Sequence, residues 1–270
     1  MRLRLLAAAT LVPVLLVVVL VAPTVVTAVL CGLLSAIAAA ELLTGTGLVK
    51  HIRLVVYSAV MAFLVPIWCY NGMEHVWAEL AIIVYVMLMF MEVLLSHGKL
   101  RFERIAVSSV AGLLIPYMLS SLIRILCMES GRELILIPFV VAFLSDSGAY
   151  FVGRKYGKHK LAPNISPNKS IEGMAAGVAT GILGMLLYCL ILALAFDAEV
   201  NYAFAITYGF IGSLAGVFGD LCFSAIKRQT GIKDYGKLIP GHGGVLDRFD
   251  SVIIVAPLVE ILLILLPVLE

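Results

Sequence analysis

The sequence predicts an all-α, polytopic integral membrane protein, and three observations carry that prediction. Hydrophobic residues make up 62% of the chain and charged residues 13%, against about 45–50% and about 25% in soluble proteins. The mean hydropathy is +1.10. The apolar residues also gather in runs, several of which reach the ~20 residues that a bilayer-spanning helix needs. A soluble domain of this length needs a polar surface that the chain does not contain. A membrane β-barrel needs alternating segments of about ten residues, and these are absent.

Runs bounded by charge, Pro or Gly define nine candidate helices, over residues 4–22, 24–43, 53–70, 76–95, 104–127, 133–152, 171–196, 202–223 and 250–268. Only Ala22–Thr24 separates the first two, so one tilted or broken helix over residues 1–43 is the alternative there. Arg2 and Arg4 ahead of an apolar run also mimic a signal peptide. Against that, a second apolar run follows at once, with no clear small-residue cleavage site between them. Nine spans with a cytoplasmic N-terminus put 17 of the 19 Lys and Arg residues inside, leaving only Arg124 and Arg132 near the outer side. That asymmetry is the positive-inside pattern. The expected topology is therefore N-terminus cytoplasmic and C-terminus outside, in the cell inner (plasma) membrane. Two long polar loops, 153–170 and 224–249, then face the cytoplasm. The five cysteines are odd in number and form no C-x-x-C pair, so neither a disulfide framework nor a zinc site is indicated.

The loop chemistry starts at Asp220. A carboxylate near the end of a membrane helix is expensive unless it is paired, hydrated or bound to a cation. Ser224 and Lys227 follow at i+4 and i+7 on the same face. The candidate spans 171–196 and 202–223 carry small residues at helical spacing (Gly173, Gly177 and Gly181, four apart; Gly209, Ser213 and Gly216), which predicts close packing of these two helices on each other. The stretch "KRQTGIKDYGKLIPGHGGVLDRFD", Lys227 to Asp250, adds Asp247 and Asp250 where the last helix begins. Either acid also suits a helix N-terminus as a cap. Hard divalent cations such as magnesium take oxygen ligands, usually one or two carboxylates plus substrate phosphates and waters. Lys227, Arg228, Lys233, Lys237 and Arg248 supply positive charge for a polyphosphate. Gly241, Gly243 and Gly244 open backbone amides to oxyanions. A loop that merely attracts anionic headgroups accounts for the lysines, but not for the acids or for the "GHGG" around His242. The combination points to phosphoryl or nucleotidyl chemistry.

From Ser224 to Asp250 the chain resembles the signature of the phosphatidate cytidylyltransferases (CDP-diacylglycerol synthases). Ser224, Lys227, Arg228, Lys233, Asp234, His242, Gly243, Gly244, Asp247, Arg248 and Asp250 fill its fixed positions. The resemblance extends through "SDSGAYFVGRKYGKHKLAPNISPNKSIEG", Ser145 to Gly173. Here Asp146 ends an apolar helix at the same cost as Asp220. Pro167 and Ser170–Glu172 read as a turn entering a helix, which would set Asn168, Lys169 and Ser170 near an anion-binding N-terminus. Residues 1–130 resemble the family only in hydropathy and span number and read as a transmembrane scaffold; residues 131–270 read as the catalytic region of one integrated membrane domain. Glu41 and Glu92, near cytoplasmic helix ends, receive no role.

The resemblance implies that CTP and phosphatidate react to give CDP-diacylglycerol and pyrophosphate, with Mg2+ and room for a second cation. It is compatible with a homodimer, and nothing suggests nucleic acid as a partner. Under that reading Asp220 and Asp247 are the leading metal ligands, with Asp146 and Asp250 behind them. Ser224, Lys227 and Arg248 complete the catalytic set. Lys169, Ser170, Arg228, Lys233, Asp234, Lys237, His242, Gly243 and Gly244 bind substrate. The rival readings are another CTP-dependent lipid enzyme, such as a polyprenol kinase or an archaeal-lipid cytidylyltransferase, and a transporter. Transporters carry their charges near the midplane, often within inverted repeats, whereas these acids gather at one face.

Overall fold

A computed structural model describes residues 13, 15–71, 75–239, 241 and 243–269. Of the described residues, 76% are helical. Seven helical stretches among the described residues are long and apolar enough to cross a bilayer: Thr24–Gly45, Ile52–Tyr70, Val76–Leu95, Phe102–Leu126, Gly131–Tyr156, Ile171–Phe196 and Tyr202–Gln229. This is a multi-pass membrane protein. The predicted span 4–22 lies mostly outside the described residues. Residues 15–21 are helical, and the helix breaks at Ala22 and Pro23, so that run and the next are separate helices. The predicted span 250–268 appears as a 14-residue helix, Val252–Leu265. At 1.5 Å per residue it covers about 21 Å, short of the ~30 Å hydrocarbon core.

The chain divides into two compact units. One runs to Met128 and includes Gln229–Phe249; the other comprises Glu129–Arg228 and the chain from Asp250 onward. The first unit begins with α1 (Thr24–Gly45), α2 (Ile52–Asn71) and α3 (His75–Leu95). α1 packs on α2 closely enough that a Cβ on Gly32 would stand 2.7 Å from the Phe63 carbonyl oxygen. The predicted span 104–127 is broken into α4 (Phe102–Ser109), a π-helical turn over Val110–Leu114, α5 (Ile115–Leu119) and α6 (Ser121–Leu126). The π turn lies just ahead of Pro116, which has no N–H to continue the ladder; before the turn, the Ser108 carbonyl accepts from the Tyr85 hydroxyl (2.8 Å) and the Ser58 hydroxyl (3.2 Å).

The second unit contains α7 (Gly131–Leu134), α8 (Ile137–Tyr156), a hairpin of β1 (Lys160–Ala162) and β2 (Ser166–Ser170), α9 (Ile171–Phe196), α10 (Tyr202–Gln229) and, after the short α11 (Leu246–Phe249) of the first unit, α12 (Val252–Leu265). The antiparallel hairpin pairs Lys160 with Ser170 and Ala162 with Ser166. Pro167 therefore sits in a strand, not in the predicted turn. Ser170 does cap α9, its hydroxyl accepting from the Gly173 N–H at 3.1 Å. Glu172 in the same first turn accepts from the backbone N–H groups of Lys158 (3.1 Å) and His159 (3.2 Å), which ties the hairpin to the helix.

The glycine stripes are distributed differently from the expected α9–α10 pairing. Gly173 and Gly177 face α8, where an added Cβ would stand 2.9 Å from the carbonyl oxygens of Ala149 and Ser145 respectively. Gly181 faces Ser213 and Gly209 on α10, while Gly212 faces Val141 on α8. The small residues thus seat α9 and α10 against α8 as well as against each other. Side-chain-free surface is where helices in lipid approach most closely.

Candidate active site

The second unit gathers three acids and two lysines. Asp146 lies mid-helix in α8 (Ile137–Tyr156) and not at its end as predicted, because the helix runs on past the polar residues to Tyr156. Asp220 lies nine residues before the end of α10. Asp146 comes from α8, Asp220 from α10, and Asp250 from the turn just ahead of α12. Lys169 Nζ on β2 lies 2.5 Å from Asp220 Oδ2. The Ser224 hydroxyl donates to Asp220 Oδ1 at 2.9 Å, completing the i, i+4 pair expected on that face. Lys227 Nζ, one turn further on, lies 3.8 Å from Asp250 Oδ2. The Ser251 hydroxyl donates to Asp146 Oδ2 at 3.2 Å. Burial pushes the Asp250 carboxyl up to about 7; the charges of Asp220 and Asp146 add to the rise, and Lys227 opposes it.

Of these groups, Asp146, Asp220 and Lys169 border a cleft of about 720 Å³, within the usual range for small-molecule sites. Asp146 and Asp220 form its acidic side. Arg154, Lys160 and Lys169 supply positive charge, and Tyr150, Asn168 and Ser170 supply further polar lining. The cleft exists because its walls are bare at Gly153, Gly157 and Gly173. A Cβ on Gly153 would stand 3.1 Å from the Ser170 hydroxyl and one on Gly173 3.0 Å from it, so larger residues would displace the cap that starts α9. Arg228 Nε donates to the Ile165 carbonyl at 3.1 Å, holding the hairpin tip to the end of α10.

The glycine-rich loop belongs to the first unit and folds around two carboxylates. Asp247 is buried, 6% exposed. Its Oδ2 accepts from the backbone N–H groups of Tyr235 (2.8 Å) and Gly244 (3.0 Å). Gly241 and Gly243 have φ of +75° and +86°, a region that glycine enters without steric cost, and the Ile239 N–H closes the turn onto the Gly243 carbonyl at 2.9 Å. The second carboxylate is Glu41 on α1, which the sequence reading left without a role. Glu41 Oε2 accepts from the Leu246 N–H at 2.9 Å, and Gly236 and Gly244 lie so close to its carboxylate that neither has room for a Cβ. A buried acid inside an apolar helix is the same kind of signal that singled out Asp146.

Of the remaining candidates, Lys233, Asp234 and Lys237 are exposed on the loop, Arg248 is exposed on α11, and His242 lies outside the described residues. Among the described residues, no three His, Cys, Asp or Glu side chains form a ready-made metal cluster. The donor set still suits a hard divalent cation that is held by one or two carboxylates and completed by phosphate and water oxygens. Asp146, Asp220 and Asp250 offer only oxygen.

Comparison with known proteins gives this geometry a family. A phosphatidate cytidylyltransferase of Staphylococcus epidermidis is 45% identical over 136 residues, 50% of this chain and 51% of the relative. The Staphylococcus haemolyticus protein of the same name is 45% identical over 136 residues, with the same coverage. That of Staphylococcus aureus is 45% identical over 139 residues, again 50% and 51%. The chain thus spans about half the length of the curated relatives it matches. A family model described as "Cytidylyltransferase family" matches residues 2–266, almost the entire sequence, and the chain belongs to the cytidylyltransferase family.

Proposed function

We propose that this protein transfers the cytidylyl group of CTP to phosphatidate, giving CDP-diacylglycerol and pyrophosphate. The observation that carries the proposal is the cleft of the second unit, where Lys169 is paired with Asp220 beside Asp146, both acids standing within membrane-crossing helices. The names of the staphylococcal relatives support the same reaction. In this reading a phosphate oxygen of phosphatidate attacks the α-phosphorus of CTP. The α–β phosphoanhydride bond breaks, and its electron pair leaves with pyrophosphate. The attacking oxygen is already anionic, so no strong base is required. Positioning and charge neutralisation dominate such transfers.

The roles follow from the groups present. Lys169 and Lys227, held against Asp220 and Asp250, exchange those partners for substrate phosphates. Arg154 and Lys160 extend the positive wall of the cleft. Ser224 orients the Asp220 carboxylate and is not required as a nucleophile. Mg2+ would be held by Asp220 and Asp250 with Asp146 beside them, and Asp247 stays a candidate ligand on its own loop, as the sequence pattern has it. Bound there, the ion would neutralise charge on the phosphates. The positive-inside pattern supports a cytoplasmic face for this site, where soluble CTP and a lipid phosphate can meet.

The test uses full-length protein in detergent with labelled CTP, phosphatidate and Mg2+, following CDP-diacylglycerol with and without chelator. Product that vanishes with chelator and returns with Mg2+ is expected. Absence of product at every Mg2+ concentration would overturn the assignment.

A further inference from the structure

A second polar cavity lies in the first unit, apart from every residue assigned above. It has a volume of about 460 Å³ and is lined by Lys50, His51, Ile52, Arg53, Glu92, Leu95 and Ser96. Its centre is Glu92, whose side chain is only 6% exposed. Arg53 Nη1 lies 3.3 Å from Glu92 Oε1, the Tyr57 hydroxyl donates to the same oxygen at 3.2 Å, and His51 Nε2 lies 3.9 Å from Oε2. The carboxylate therefore fixes Arg53 while occupying only part of its guanidinium, which has five N–H donors. Lys50 adds a second full positive charge beside it and has no acid of its own in the cavity wall. His51 Nδ1 is buried without a hydrogen-bond partner, an unsatisfied polar atom that turning the ring toward a ligand oxygen would relieve.

The location narrows the ligand. Lys50–Arg53 stand at the start of one membrane-crossing helix, Ile52–Tyr70, and Glu92–Ser96 at the end of another, Val76–Leu95. Both lie where a crossing helix leaves the hydrocarbon, which is the level of lipid headgroups. The cavity offers two cations, Arg53 held in place and Lys50 beside it, against one buried carboxylate that is already satisfied. It suits a singly charged phosphate diester, with Arg53 and Lys50 reaching its oxygens and Leu95 and Ile52 against its apolar stem. We infer that this cavity is a binding site for the phosphate of an anionic phospholipid, separate from the catalytic cleft.

The experiment titrates full-length protein in detergent with short-chain phosphatidylglycerol, with phosphatidylcholine of equal chain length, and with inorganic phosphate, reading binding by native mass spectrometry. Lys50 and Arg53 are both exposed at the surface, so the double variant Lys50→Gln/Arg53→Gln should fold, and its thermal unfolding is checked against wild type. Losing charge-assisted hydrogen bonds to phosphate is expected to raise the Kd for phosphatidylglycerol about tenfold or more. Lys169→Gln, which alters only the catalytic cleft, should retain this binding. Equal binding of phosphatidylglycerol and phosphatidylcholine would overturn the inference, as would an unchanged Kd in the folded double variant. Inorganic phosphate binding as tightly as the lipid would reassign the cavity to free phosphate and overturn the headgroup assignment.

Discussion

Glu41 offers the sharpest single perturbation, because the geometry assigns it one job. Its Oε2 accepts the Leu246 N–H at 2.9 Å across 205 residues of sequence, and Leu246 is fully buried. Glu41→Ala leaves that N–H without its acceptor and empties the space against Gly236 and Gly244. An orphaned buried donor costs about 1–3 kcal/mol, which multiplies local opening of the loop by about 5- to 150-fold. Glu41→Gln keeps an amide oxygen in the same place and should cost less than about 1 kcal/mol, the lower end of that range. Hydrogen exchange followed by mass spectrometry on peptides covering residues 235–247 measures this directly. The expected pattern is faster exchange in Glu41→Ala, near wild-type exchange in Glu41→Gln, and no change in peptides from α9. Unchanged loop protection in Glu41→Ala would refute the bracing role.

Three further outcomes follow from the second unit. Gly177→Ala should destabilise the detergent-solubilised protein by about 1–3 kcal/mol, since the new Cβ would stand 2.9 Å from the Ser145 carbonyl oxygen. Gly216→Ala should be neutral or gain up to about 1 kcal/mol of helix propensity, its Cβ meeting Val255 at an ordinary 3.6 Å; thermal unfolding of the pair in parallel distinguishes them. Lys169→Met should lower kcat for CDP-diacylglycerol formation by about 10²-fold or more while the protein remains folded, and turnover within threefold of wild type would remove Lys169 from the site.

The two glycines show where sequence reading stops. Gly177 and Gly216 stand in equivalent small-residue stripes, yet one touches a neighbouring backbone and the other has room to spare, because the stripe says that a close approach occurs and not which helix approaches. Membrane spans were readable because hydrocarbon demands long apolar runs, and α9 starts and stops where its cap and charges say. Asp146 and Asp220 stood out because an acid in an apolar run carries a cost that something must offset. Glu41 carried the same mark, but its partner is a backbone N–H 205 residues away, and no local spacing encodes that. The β1–β2 hairpin was also hidden, since "SPNKS" has little intrinsic strand preference and pairs under the hold of Glu172 and Arg228. The break in the Phe102–Leu126 stretch had visible cues in Gly112 and Pro116, which an otherwise apolar run masked.

The ion pairs of the second unit are better explained by chemistry than by stability. Bringing two charges out of water costs several kcal/mol per ion, and their attraction offsets this only with excellent geometry, so a well-packed apolar pair is often as stable or more so. In a chain that is 62% hydrophobic, apolar side chains at these positions would suit the helices at least as well. Lys169–Asp220 and Lys227–Asp250 instead hold opposite charges together at roughly one quarter and one eighth exposure, beside the further acid Asp146. In the proposed reaction, each lysine would release its carboxylate to take a phosphate, leaving the carboxylate to face a cation. The glycines of α9 make this possible mechanically, since they let α8 approach and bring Asp146 to the same cleft as Asp220. The close packing and the charge cluster are thus one construction, with the apolar helices supplying the rigidity that the polar groups cannot.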